Sequence, residues 1–151
     1  MSASPPSESL RRVPIEEGFF TIPQDASAPP RLLGSRCRSC GEVFFPRRVV
    51  CAKCLAVGTE PVELGPCGRL WTWTWCHLPL FGSRRSPEDG GYAVGQVDLP
   101  EGPRVQCVLA GKRGDFAIGM ELVLDLELLG QTKDGEDLVI FRFRPLKAAE
   151  A

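Results

Sequence analysis

The chain is poor in several things that chemistry or targeting would need. It has 151 residues and a single histidine, His77. A thiol–imidazole nucleophile pair would need a cysteine beside that ring. Cys76 precedes it directly, but neighbours on a strand point to opposite faces, so His77 reads as a polar residue at a strand end. There is no Gly-x-x-x-x-Gly-Lys loop to cradle phosphate and no Gly-x-Ser-x-Gly turn to present a serine nucleophile. No independent catalytic activity is expected. Charge of one sign is also lacking. The formal net charge is −1, whereas a general nucleic-acid binder draws most of its affinity from a basic excess. No apolar run approaches the roughly 20 residues that span a bilayer, and the N-terminus carries no charged-then-apolar leader pattern. A membrane partner is therefore not expected.

What is abundant points to β-structure. Gly 16 and Pro 14 favour many turns and short strands over long helices. Hydrophobic content of 43% and charged content of 25% are ordinary for a globular chain. Seven cysteines form the strongest signal. Cys37-Arg-Ser-Cys40 and Cys51-Ala-Lys-Cys54 are two Cys-x-x-Cys pairs separated by residues 41–50. Each pair lets one tight turn present two sulfurs to a single ion, and two facing turns close a tetrahedral four-cysteine site. Zinc is the default ion, and iron fits the same geometry. With all four positions filled by protein, the site reads as structural. Cys67, Cys76 and Cys107 remain as free thiols, which points to a reducing cytoplasm.

In chain order, residues 1–30 form an N-terminal arm with six of the prolines (Pro5, Pro6, Pro14, Pro23, Pro29 and Pro30). A helical turn is expected over Ser7–Arg12. Phe19, Phe20 and Ile22 have nothing local to bury them, so they either pack on this chain's own core or dock on another subunit; they are the candidate partner-docking residues. Residues 31–64 read as the ribbon, with strands at Arg31–Arg36 and Glu42–Phe45. Such a small module buries too little apolar surface to hold itself together, so the metal must supply the missing folding free energy, on the order of 10 kcal/mol.

Residues 65–146 change to a strand pattern. Leu70–Cys76 alternates strictly, placing Trp71, Trp73 and Trp75 on one face, mainly core or covered. Further strands are expected at Gly91–Asp98, Arg104–Ala110, Leu122–Leu128 and Leu138–Arg144. Leu122, Leu124, Leu126 and Leu128 share a buried face, and an Asp134-Gly135 hairpin joins the last two strands. Gly111–Gly119 is a non-strand connection with room for a helical turn at Arg113–Phe116. Five antiparallel strands with that insertion fit an OB-fold barrel, and a five-stranded SH3-like barrel is the competing architecture. Residues 147–151 are a tail. The fold class is mostly β: arm, rubredoxin-like zinc ribbon, five-stranded OB barrel.

These residues also resemble a known family. The four-cysteine ribbon leads into Gly68-Arg-Leu-Trp-Thr-Trp-Thr74, then Tyr92-Ala-Val94, Asp98-Leu-Pro-Glu-Gly102, Ile118-Gly-Met120 and Phe141-Arg-Phe-Arg-Pro145. Over Arg31 to Pro145 this is similar to the bacterial and archaeal proteins that join a rubredoxin-like zinc ribbon to an OB-fold and accompany acyl-CoA enzymes. Family members place helices ahead of the ribbon, where this chain has a short proline-rich segment. The resemblance implies one structural zinc and a non-catalytic accessory subunit. Its partner would be a thiolase-fold chain that carries the carbon–carbon chemistry, as in steroid side-chain aldolases or the benzoylsuccinyl-CoA thiolase. Acyl-CoA would lie at or near the interface. Its phosphates favour arginine and lysine, which makes Arg36, Arg38, Arg47, Arg48 and Lys53 near the ribbon, and the pair Arg84 and Arg85, the candidate CoA-binding residues. A single-stranded nucleic-acid module is the alternative, because OB-folds with aromatic faces often serve that role.

Overall fold

The computed structural model describes residues 11–78 and 90–147. Arg84 and Arg85, and most of the helical turn expected at Ser7–Arg12, lie outside them. Among the described residues there are nine strands and one short 3-10 turn, Arg113–Asp115. None of their helices is long and apolar enough to cross a membrane.

The ribbon is a three-stranded antiparallel sheet. β2 (Leu32–Cys37) lies between β3 (Val43–Phe44) and β4 (Thr59–Leu64). β4 has no clear signature in the sequence, because half of its residues face outward and Pro61 sits within it. Gly34 of β2 is required by packing: a Cβ there would stand 2.5 Å from the carbonyl oxygen of Phe44 and 2.6 Å from Leu64 Cδ1.

β5 (Cys67–Cys76), β6 (Tyr92–Asp98), β7 (Arg104–Leu109), β8 (Glu121–Gln131) and β9 (Asp137–Pro145) form the barrel. The hydrogen-bonded order runs β5-β6-β7-β9-β8, and β8 returns to β5. That closed order, with the 3-10 turn between the third and fourth strands, is the OB arrangement. One expectation fails here. The strands are not all antiparallel, because β7 and β9 close the barrel as a parallel pair at Leu109–Phe143. Phe143, Leu122, Leu70, Val97 and Val105 are almost fully buried inside.

The alternation on β5 also fails. Leu70 pairs with Val97 and Thr72 with Gln96, so Trp71 is the extra residue of a β-bulge. The bulge reverses the parity of the strand. Leu70 is buried, Trp73 and Trp75 pack against the core from the far side of the bulge, and Trp71 is 47% exposed. The Arg104 guanidinium covers its ring at 3.6 Å and is itself held by Asp98 at 2.6 Å. On β8 a second register shift falls between Leu128 and Gly130, and Leu128 is exposed rather than sharing the buried face of Leu122 and Leu124. The Asp134-Gly135 hairpin forms as expected, with the Thr132 N–H donating to the Glu136 carbonyl at 2.8 Å.

The arm is not a separate body. β1 (Arg12–Pro14) adds a strand parallel to β9. Phe20 bridges to Leu32 and is 4% exposed, with its ring 5.7 Å from Phe141. The expectation that Phe20 docks on a partner is therefore corrected: burying its ring in the chain's own core leaves no surface for another subunit. Phe19 lies edge-on to Phe45, and Ile22 packs against the same cluster.

A four-cysteine metal centre and the surface around it

Cys37 ends β2, and Cys40 follows in the turn before β3. Cys51 and Cys54 sit on the second turn, between β3 and β4. The two turns repeat one hydrogen-bond pattern. Gly41 N–H donates to Cys37 carbonyl at 3.0 Å, and Leu55 N–H to Cys51 carbonyl at 3.0 Å. Ser39 N–H points at Cys37 Sγ and Lys53 N–H at Cys51 Sγ, each at 3.4 Å. These donors favour the thiolate. Chiefly through the Cys40 backbone N–H, and then that of Ser39, the Cys37 thiol is lowered to about 6. The Cys54 and then the Lys53 backbone N–H groups lower Cys51.

All four Sγ atoms lie within 4.8 Å of one another. Cys37 to Cys54 and Cys40 to Cys51 are each 3.6 Å. A tetrahedron with zinc–sulfur bonds of about 2.3 Å has edges of about 3.8 Å, so the donor set and its spacing fit one structural zinc. Cys37 and Cys51 are buried while Cys40 and Cys54 face outward. No position is left for water or substrate, so the ion would hold the two turns together rather than activate a reactant.

The turns differ at one equivalent position. Gly41 has φ 76° and Leu55 has φ 63°. Glycine takes this left-handed conformation freely, but in leucine it costs roughly 1–2 kcal/mol in steric strain. Among the described residues, Leu55 is the one non-glycine residue there. Its side chain is 76% exposed, as are Val49 at 75% and Val57 at 78%; Val50 is also exposed. Val50 and Val57 are bridge partners, and Gly58 N–H bonds to Val49 carbonyl at 3.2 Å. Four outward aliphatics thus share one small hairpin. The missing glycine after Cys54, where Gly41 follows Cys40, is the signal that sets this turn apart.

The candidate ribbon cations are all exposed. Arg48 has its guanidinium 5.5 Å from the Phe44 ring centre and its backbone N–H bonded to Ser35 Oγ at 2.9 Å. Lys53 pairs with Glu42 at 2.8 Å, which raises its affinity for the proton. His77 is exposed just past the end of β5. Burial pushes the Cys107 thiol on β7 up to about 12, which makes it an inert core residue.

The family model described as the ChsH2 rubredoxin-like zinc ribbon domain matches residues 25–58, and that of the ChsH2 C-terminal OB-fold domain matches residues 61–127. A DUF35 domain-containing scaffold protein from Methanocaldococcus jannaschii is 30% identical over 122 residues, 77% of this chain and 82% of that protein. The chain belongs to the ChsH2/DUF35 family. The benzoylsuccinyl-CoA thiolase subunit BbsA of Thauera aromatica is 28% identical over 150 residues, covering 97% of this chain and 100% of that subunit. Among solved structures, the Ltp2-ChsH2(DUF35) aldolase superposes with a TM-score of 0.58 at 28% identity, over 76% of this chain and 84% of that one. In this ChsH2/DUF35 chain the junction of the two matched regions falls at the start of β4. The closing strand β9 lies beyond the matched OB region.

Proposed function

We propose that this chain is a non-catalytic, zinc-holding accessory subunit of a thiolase- or aldolase-type complex acting on an acyl-CoA. The observation that carries the reading is the alignment of nearly the whole chain with a thiolase subunit, the benzoylsuccinyl-CoA thiolase subunit BbsA. The likeness to a chain of the Ltp2-ChsH2(DUF35) aldolase supports it. A closed four-cysteine site is consistent with scaffolding. In this reading the thiolase-fold partner holds the reacting groups and the present chain completes the assembly. The acyl-CoA lies at or near the shared face, where Arg36, Arg38, Arg47, Arg48 and Lys53 would meet its phosphates; Phe19 and Ile22, half-buried at the arm, remain candidate partner contacts. The complex works in the cytoplasm.

The nucleic-acid reading has less support. The charge is near neutral, and the one outward tryptophan, Trp71, already has its ring covered by Arg104.

The test is purification of the tagged chain from its native host, with metal analysis and mass spectrometry of the same sample. A stoichiometric thiolase-fold chain and about one zinc per small subunit are expected. Recovery of the chain alone, or with nucleic acid that salt removes, would sink the proposal.

A further inference from the structure

The barrel carries a cavity that the metal centre does not use. β5 leaves the ribbon at Cys67, and near its other end, at Trp75, a cavity of about 550 Å³ opens. That size falls in the range of sites for small organic ligands. Trp75 and Tyr92 line it on one side, and Lys112, Arg113 and Arg142 on the other.

The walls are held in place. Trp75 Nε1–H donates to the Gly90 carbonyl at 2.9 Å, which fixes the indole. Gly91 has φ 120°, and a Cβ there would stand 2.5 Å from Trp75 Nε1, so glycine is what lets the chain close on the ring. On the facing side, Asp115 Oδ2 accepts the Lys112 backbone N–H at 2.7 Å and pins the 3-10 turn that carries Arg113.

The three cations are not equivalent. Arg142 is half-buried and neutralised by Asp125 at 2.9 Å and Glu127 at 3.6 Å. Lys112 and Arg113 are exposed, and among the described residues neither forms an ion pair. The cavity thus joins an aromatic wall to two adjacent unneutralised charges on one pinned turn.

That pairing selects a ligand with a flat ring and a compact negative charge. Bases stack on aromatic side chains, and phosphate takes charge-assisted donors from guanidinium and ammonium groups. A nucleic-acid strand would need a cationic groove that follows its backbone, whereas these two charges sit on a single turn. We propose that this cavity binds one nucleoside phosphate, with the base against Trp75 and Tyr92 and the phosphate on Lys112 and Arg113. The proposal does not rest on the accessory-subunit reading, and the ribbon cations take no part in it. The nucleotide is either free or the nucleotide end of a larger molecule such as CoA.

The experiment titrates ADP into the zinc-loaded full chain, followed by calorimetry and by proton–nitrogen NMR. The Trp75 indole N–H and the backbone N–H groups of Gly91, Gly111, Lys112 and Arg113 should shift and saturate together, while those of the ribbon stay in place. The double variant Lys112→Gln with Arg113→Gln changes only exposed side chains and should bind ADP about tenfold more weakly or worse. Arg11→Gln with Lys133→Gln, which removes two exposed cations elsewhere, should stay within about twofold of wild type. Pyrophosphate, which lacks the base, should bind about tenfold more weakly than ADP.

No saturable shift up to about 10 mM ADP would overturn the proposal. So would equal weakening by the two double variants, which would reduce the binding to general charge attraction. Pyrophosphate that binds as tightly as ADP would leave an anion site without a base. Oligothymidine that binds about a hundredfold more tightly than ADP would replace the single-nucleotide site with a strand-binding face. Displacement of ADP by CoA would support the site and make CoA the source of the nucleotide, moving its phosphates away from the ribbon cations. Saturable ADP binding that CoA does not displace would support the site with a free nucleotide as its ligand.

Discussion

The ribbon and the barrel solve the same problem by different means. The barrel buries Leu70, Val97, Val105, Leu109, Leu122, Leu124, Val139 and Phe143 in a closed ring of strands. In the ribbon strands, Leu32 and Leu64 are buried where they join the barrel's core, and beyond them the buried side chains are Ser35, Cys37 and Cys51. A small module whose apolar burial is concentrated where it meets the barrel has too little hydrophobic driving force around its cysteine turns to match their conformational entropy. Four thiolates on one ion supply that force instead. The difference matters for function, because a module that does not need its aliphatics for a core is able to turn them outward.

The largest expected effect follows directly. Cys51→Ser removes a buried ligand, and with it most of a metal contribution on the order of 10 kcal/mol. Zinc content should fall and the ribbon should lose its fold, while the barrel keeps its β-signature in circular dichroism. Full zinc retention by this variant would contradict the structural role of the site. Next comes Phe143→Ala, which opens a cavity where the barrel closes and should cost about 3–5 kcal/mol in a denaturant titration. The folded fraction should still carry its zinc, since Phe143 lies in the barrel and contributes no ligand. A loss of metal without a loss of barrel stability would invert the comparison. The smallest effect is Leu55→Gly, which relieves the left-handed strain at the second turn. It should slow zinc release to a chelator, by an amount corresponding to roughly 0.5–1 kcal/mol. Faster release would mean that Leu55 is held by packing rather than strained.

Much of this architecture is legible in the amino-acid sequence. The doubled Cys-x-x-Cys spacing specifies a four-sulfur site because two tight turns allow little else. The strand order follows from alternating residues and the Asp134-Gly135 turn, since period-two burial is a local signal. The features that escape such reading are non-local. Parallel closure at Leu109 and Phe143 leaves the same alternation as an antiparallel one. The bulge at Trp71 is an insertion whose only trace is in the partner strand's register. The arm's pairing as β1 depends on β9, far along the chain. The outward hairpin escapes because Val49, Val50, Leu55 and Val57 read equally well as interior residues. Only the course of the backbone places them outside.

The most direct test of this two-part account is amide hydrogen exchange on the zinc-loaded protein, with and without removal of the metal by a chelator. The account predicts that residues 33–63 lose protection on chelation, while β5 to β9 keep theirs, with Leu122 and Phe143 among the slowest in both states. Uniform loss across the ribbon and the barrel, or a ribbon that stays protected without metal, would contradict it.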